Sequence, residues 1–100
     1  MNLIFRPEAE TEMLEAKAWY EERSPGLGLE FARAVEAALM TGARHPESAR
    51  KAGAGCRRVL LRRFPYTIIF LPLPDSIVVV ACFHQHRDPN VLRERLRAEN

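Results

Sequence analysis

Four arginines, Arg57, Arg58, Arg62 and Arg63, crowd into one short stretch of the chain. Guanidinium groups clustered in this way can grip phosphate or carboxylate oxygens bidentately. Along one strand, Arg58 and Arg62 would share a face with Leu60, and Arg57 and Arg63 the other face with Val59 and Leu61. Neither face is wholly polar, so the long side chains must lean out over apolar neighbours. The same arginines would also guard an exposed sheet edge against unwanted pairing. A second set follows at His84, His86 and Arg87. Two histidines two apart at a strand end face one side and make half of a metal site, but the remaining residues suggest no third ligand. A histidine beside an arginine also suits acid–base work on a ribose 2′-hydroxyl, with the arginine stabilising the charge that develops on phosphorus. The plainer role for both is to fix the strand end.

A third set is apolar. Trp19 is the only tryptophan, and its helical neighbours Glu8, Glu12 and Glu15 are polar, so it lies off the core stripe. Leu29 and Met40 share a second face of the next helix with Arg33 and Glu36. An aromatic on a polar face is a natural anchor for a protein partner, though Trp19 could equally fold over the end of the hairpin. Cys56 and Cys82 sit on expected strands without metal-ligand spacing and read as buried thiols. There is no glycine-rich phosphate loop, no Ser/His/Asp order and no pair of carboxylates placed for catalysis. As a free-standing enzyme of small molecules the chain looks poor, and neither a cofactor nor a metal is expected.

The elements that position these residues follow from pattern. One hundred residues, 47% of them apolar, can bury one core, so the expectation is a single domain over residues 1–100. From Cys56 to Pro89 the chain reads as three strands separated by turns at Arg63-Phe64-Pro65 and Pro72-Leu73-Pro74-Asp75. Tyr66 to Phe70 and Ile77 to Phe83 are apolar on both alternating faces. One face should therefore carry helices and the other should meet something else. Asn2 to Arg6 reads as an N-terminal strand stopped by Pro7, which then opens a helix whose positive end Glu8, Glu10 and Glu12 complement. Ala9, Met13, Ala16 and Tyr20 make its apolar stripe. Ser24-Pro25-Gly26 reverses the chain, and a second helix carries Leu27, Phe31, Ala34, Val35, Ala38 and Leu39 inward, ending near Gly42. His45 to Gly55 reads as a surface loop with a basic tip at Arg50 and Lys51. A short C-terminal helix, Val91 to Arg97, capped by Asp88 or Asn90, must dock on the domain or on a partner to be ordered. The fold class is α+β: an N-terminal strand, an αα-hairpin packed on a small, mainly antiparallel β-sheet, and a short C-terminal helix.

Charge divides unevenly. Residues 1–50 hold six Lys/Arg against nine Asp/Glu, and residues 51–100 hold nine against four, giving −3 and +5. A basic half suits an anionic partner, whether nucleic acid or an acidic protein surface, or is ordinary solvated surface. No apolar run reaches the roughly 18 residues of a membrane span, and Met1 to Glu10 has the wrong order of charge and hydrophobicity for a secretion signal. A cytoplasmic protein without membrane contact is expected.

Several of these pieces together resemble the ParE/RelE superfamily of bacterial toxins. They are Gly55 with Arg57 and Arg58, then Phe64, Pro65, Tyr66, Ile68 and Phe70, then a hydrophobic strand closing on His84, Arg87 and Pro89. The segment Trp19 to Gly28 resembles the helix connection of the ParE branch, the plasmid stabilisation proteins. The resemblance implies the toxin of a type II toxin–antitoxin system, neutralised by a cognate ParD-like antitoxin in a hetero-oligomer. In the ParE branch it implies poisoning of DNA gyrase by binding, with DNA reached only through gyrase or antitoxin. The alternative is a RelE-like ribosome-dependent mRNA endonuclease, for which Arg58, His84 and Arg87 would be the catalytic set. On the ParE reading, Arg57, Arg58, Arg63 and Arg87 contact the target, and Trp19, Leu29 and Met40 the antitoxin. Asn90 to Asn100 has no Tyr, His or Lys to act as acid or base, which favours ParE.

Overall fold

Pro7 opens a helix, as its fixed φ and missing N–H suit it to do. In the computed structural model, which describes residues 2–99, strand β1 (Asn2–Phe5) leads into helix α1 (Pro7–Arg23). Ala9 and Ala16 of α1 are buried, and Met13 and Tyr20 pack half-buried against the same core. The chain reverses and helix α2 (Leu27–Arg44) buries Gly28, Phe31, Val35 and Leu39. Gly26 at the reversal has φ 89°, a left-handed conformation that glycine adopts without steric cost. The carboxylate of Glu21 on α1 accepts the N–H groups of Gly26 and Gly28, each at 3.0 Å, so one helix caps the start of the other. Helix α2 ends two residues past Gly42, near where the sequence places its end, and Gly42 itself lies inside the helix. A Cβ there would lie 2.9 Å from Cζ of Phe70, so Gly42 is a contact with the sheet and the helix continues past it.

The sheet has five strands where the sequence suggests four. After β1 come β2 (Arg50–Gly53), β3 (Cys56–Leu60), β4 (Tyr66–Pro72) and β5 (Ser76–His84), then helix α3 (Pro89–Arg97). Their order is β1-β5-β4-β3-β2, with β1 parallel to β5 and the other neighbours antiparallel. The architecture is thus α+β, as expected. The additional strand β2 lies inside the expected loop His45 to Gly55. Its turn into β3 runs through Ala54 (φ 55°) and Gly55 (φ 79°), both left-handed, as a tight two-residue hairpin requires. Alanine in the place usually taken by Asn, Asp or Gly hides the hairpin. Ala54→Gly should relieve about 1–2 kcal/mol of backbone strain and return part of it as unfolded-state entropy. We expect a net gain of about 0.5–1 kcal/mol, or about 2–8 °C in a thermal melt. An unchanged or lower melting temperature would mean that Ala54 is not strained.

Both faces of the sheet are covered. On one, the hairpin of α1 and α2 encloses Phe31, Leu39, Ile68, Phe70, Ile77 and Val79. On the other lie Cys56, Ile69, Val78, Val80, Ala81 and Phe83, roofed by Val91, Leu92 and Leu96 of α3. The second apolar face, expected to meet something else, meets the C-terminal helix of the same chain. Asp88 caps that helix by accepting the N–H of Asn90 at 2.9 Å. Val80 and Ala81 turn to the same face because β5 carries an extra residue there: Ile69 pairs with Ala81, and Phe70 with Val79.

Candidate functional site

Where β1 ends, the edge of β5 would be left without a partner. Arg6 N–H donates to the Val79 carbonyl at 2.9 Å, and beyond it two side chains continue the work of a strand. Glu12 of α1 accepts the Cys82 N–H at 3.1 Å, and Arg95 of α3 donates to the Val80 carbonyl at 3.0 Å. The two side chains also join each other: Arg95 donates to both carboxylate oxygens of Glu12, at 3.0 and 2.8 Å, with side-chain exposures of only 12% and 11%. Hydrogen bonding to Glu12 raises the pKa of the Arg95 guanidinium above its ordinary value, against the burial that lowers it. Arg87, just past β5, donates to the same carboxylate. Arg87 and Arg95 lie over the ring of Phe83, at 4.3 and 5.0 Å from its centre. The sequence places Glu12 among the dipole-complementing acids and does not single out Arg95. No local signal pairs residues 83 positions apart.

Beside this network a cleft of about 560 Å³ opens between α1 and the ends of β4 and β5, lined by Glu12, Trp19, Tyr20, Tyr66, His84 and Arg87 among others. Its floor is aromatic. Tyr20 stands 4.8 Å from Phe64 and Tyr66 5.1 Å from Phe31, ring centre to ring centre. Burial raises the pKa of both tyrosine hydroxyls. Cys82 at the cleft is buried and its thiol is pushed up to about 12 by desolvation, with Glu12 adding to the shift. His84 meets the edge of Tyr66 at 5.2 Å, and its Nδ1 accepts the His86 N–H at 3.1 Å. That bond places the ring proton of a neutral His84 on Nε2.

The four arginines that form one cluster in the sequence divide in the structure. β3 stops at Leu60, and Arg62 and Arg63 sit exposed in the loop before β4. Arg63 reaches α2 and donates to Glu30 at 2.8 Å, raising its own pKa and holding that carboxyl below the usual range. It therefore does not share a face with Arg57. Arg57 opposes Phe70 on the hairpin side and donates to the Ala49 carbonyl at 3.0 Å. Arg58 opposes Ile69 on the α3 side, and its Nε is buried without a hydrogen-bond partner among the described residues. His84 lies on the hairpin side with Tyr66. Arg58 and His84 thus face opposite sides of the sheet, and the set Arg58, His84, Arg87 is not assembled around one scissile bond.

Of the apolar candidates, Trp19 is half exposed at the cleft, with the Arg23 guanidinium 3.3 Å from the centre of its ring. Leu29 is likewise exposed, and so is Leu14 on α1, which the sequence does not single out. Met40 is half-buried and packs against the main core, because α2 brings that end of the helix onto the sheet. It offers a partner less surface than its place off the apolar stripe suggests.

The family model described as the ParE toxin of type II toxin-antitoxin system, parDE, matches residues 3–89 of this sequence. The chain belongs to the ParE toxin family. The match takes in β1, the helical hairpin and the sheet, and ends at Pro89, where α3 begins. No curated protein sequence matches the chain significantly. Among solved structures, a chain of the chromosomal ParDE TA system from P. aeruginosa superposes with a TM-score of 0.64 at 16% identity, over 84% of this chain and 95% of that one. At that identity the likeness speaks for the fold, which is the ParE fold described above. A ParE toxin belongs to a two-component system, so the family brings an antitoxin as partner. Among the described residues no helix is long and apolar enough to cross a membrane.

Proposed function

We propose that this ParE toxin inhibits growth by binding and poisoning DNA gyrase, and that a cognate ParD-like antitoxin neutralises it in the cytoplasm. The observation that carries the choice of binding over RNA cleavage is the placement of Arg58 and His84 on opposite sides of the sheet. General acid–base cleavage needs its groups within hydrogen-bond reach of one reacting centre. Arg87, moreover, is engaged by Glu12, and Nδ1 of His84 by a backbone N–H. Binding asks only for charge at the surface: Arg50 and Lys51 on β2 are exposed, and Arg57 and Arg58 opposite them on β3 are half-buried. The antitoxin reading rests on Trp19 and Leu29, exposed at the end of the hairpin nearest the turn, with the cleft beside Trp19 ready to take an inserted side chain.

The test is expression of the chain alone in a bacterium, with DNA and protein synthesis followed separately by labelled precursors. Gyrase poisoning gives an early loss of DNA synthesis with a DNA-damage response. An early loss of protein synthesis with cleaved mRNA would replace this reading by the ribosome-dependent endonuclease. Arg58→Glu, checked for an unchanged circular dichroism spectrum, should abolish the growth defect; full toxicity in that variant would remove the β3 arginines from the target contact.

A further inference from the structure

The outer edge of the sheet is built from like charges set face to face. β2 and β3 pair with Arg50 opposite Arg58 and Lys51 opposite Arg57. Like charges directly opposite on neighbouring strands repel. Among the described residues none of the four forms an ion pair. Alternation along the strands puts Arg50 and Arg58 on the α3 side and Lys51 and Arg57 on the hairpin side. A hollow of about 280 Å³ opens beside Lys51, Gly53, Gly55, Cys56 and Arg57, and the Arg58 Nε is buried with no partner among the described residues. β2 is last in the sheet, so among the described residues no element pairs with its outer edge. Guarding that edge against aggregation needs charge on β2 alone. It does not need a second cation directly behind each one on β3, where every such pair destabilises the hairpin.

We propose that the β2 edge receives an extended acidic segment of a partner protein as an added strand. Successive side chains of a strand point to opposite faces, so neighbouring Asp or Glu residues would answer both cation pairs while the backbone completes the ladder. A nucleic acid brings phosphates but nothing that continues a β-ladder, and lying against one face it leaves the pair on the other face unanswered. The inference rests on the reading of these arginines as partner-binding, and it is independent of gyrase being the target.

Fluorescence anisotropy of the purified protein with a short fluorescein-labelled peptide of alternating Asp, Glu and Val tests it. Two further probes are the same peptide with alternate backbone nitrogens methylated, and a single-stranded DNA of equal charge. The unmodified peptide should bind and protect β2 amides from hydrogen exchange, and methylation should weaken it about tenfold or more. Arg50→Glu/Lys51→Glu, both on exposed side chains, should weaken binding about tenfold or more while raising the melting temperature, because each repulsive pair becomes attractive. Loss of binding with gained stability cannot come from unfolding. Equal affinity of the methylated peptide, or tighter binding of the DNA, would overturn the added strand. No peptide binding, or binding indifferent to the double variant, would overturn the edge as the site. Either failure is distinct from that of the target contact, which the toxicity of Arg58→Glu measures separately.

Discussion

Glu12→Ala should lower the unfolding free energy by about 2–4 kcal/mol. Removing one partner of a well-buried ion pair costs roughly 3–5 kcal/mol, because the remaining charge is left uncompensated, and the residual exposure of this pair trims the figure. The substitution also orphans the Cys82 N–H, which β1 is too short to reach. The order of effects across the network is a sharper check than the size of any one. Arg95→Ala should cost less than Glu12→Ala, since the carboxylate keeps Arg87 and the Cys82 N–H. Arg87→Ala should cost about 0–1 kcal/mol, as expected of an arginine whose side chain is 39% exposed. Urea unfolding of the three variants measures the order. Hydrogen exchange should show α3 opening more often in Glu12→Ala, because among the described residues Arg95 gives α3 its polar tie to the rest of the fold, the next lying just past the helix where Arg6 meets Glu99 at 2.9 Å. A loss below about 1 kcal/mol for Glu12→Ala would show that the pair behaves as a surface salt bridge.

How far such contacts can be read in advance depends on the distance along the chain over which the physics acts. The helical stripe Ala9, Met13, Ala16, Tyr20, the break at Ser24-Pro25-Gly26 and the strands either side of Pro72 to Pro74 are set by neighbours within a few residues, and all are found in place. The β2–β3 hairpin escapes because its turn uses Ala54 in a conformation that alanine seldom adopts, so the usual turn residues give no signal. The arginine cluster misleads for a related reason: its pattern carries the strand past Leu60, although Phe64-Pro65 already requires a bend before β4. The covered second face of the sheet shows a different limit. That Val91, Leu92 and Leu96 need a surface is legible, and that the sheet has one to spare is legible too. Their joining depends on polar ties from Glu12 and Glu99, whose partners lie most of the chain away.

Gly28→Ala should destabilise the protein by about 1–3 kcal/mol even though it places a better helix former inside a helix. A Cβ at position 28 would stand 2.7 Å from the carbonyl oxygen of Lys17 and 3.0 Å from Oε1 of Glu21. The first of these is backbone within α1 and cannot rotate away, so the two helices must separate, and overpacking of this kind costs roughly 1–3 kcal/mol. Separation also pulls the Gly28 N–H from the Glu21 carboxylate that caps α2, a loss of about 1 kcal/mol. Against this stands the intrinsic helix preference for alanine, worth about 1 kcal/mol. Gly42→Ala provides the contrast, because its added methyl meets the Phe70 ring and Val59 methyl, side chains that can shift. Gly26→Ala provides another: nothing lies within 4 Å of a Cβ there, and only the φ of 89° resists. If Gly28→Ala is the most damaging of the three, close packing of α1 on α2 is what the second glycine of Gly26-Leu27-Gly28 secures. Equal losses at positions 26 and 28 would place the cost in the backbone of the turn instead. The distinction reaches the proposed antitoxin surface, since Trp19 and Leu29 flank this crossing and any splay of the helices would change their spacing before it changed the core.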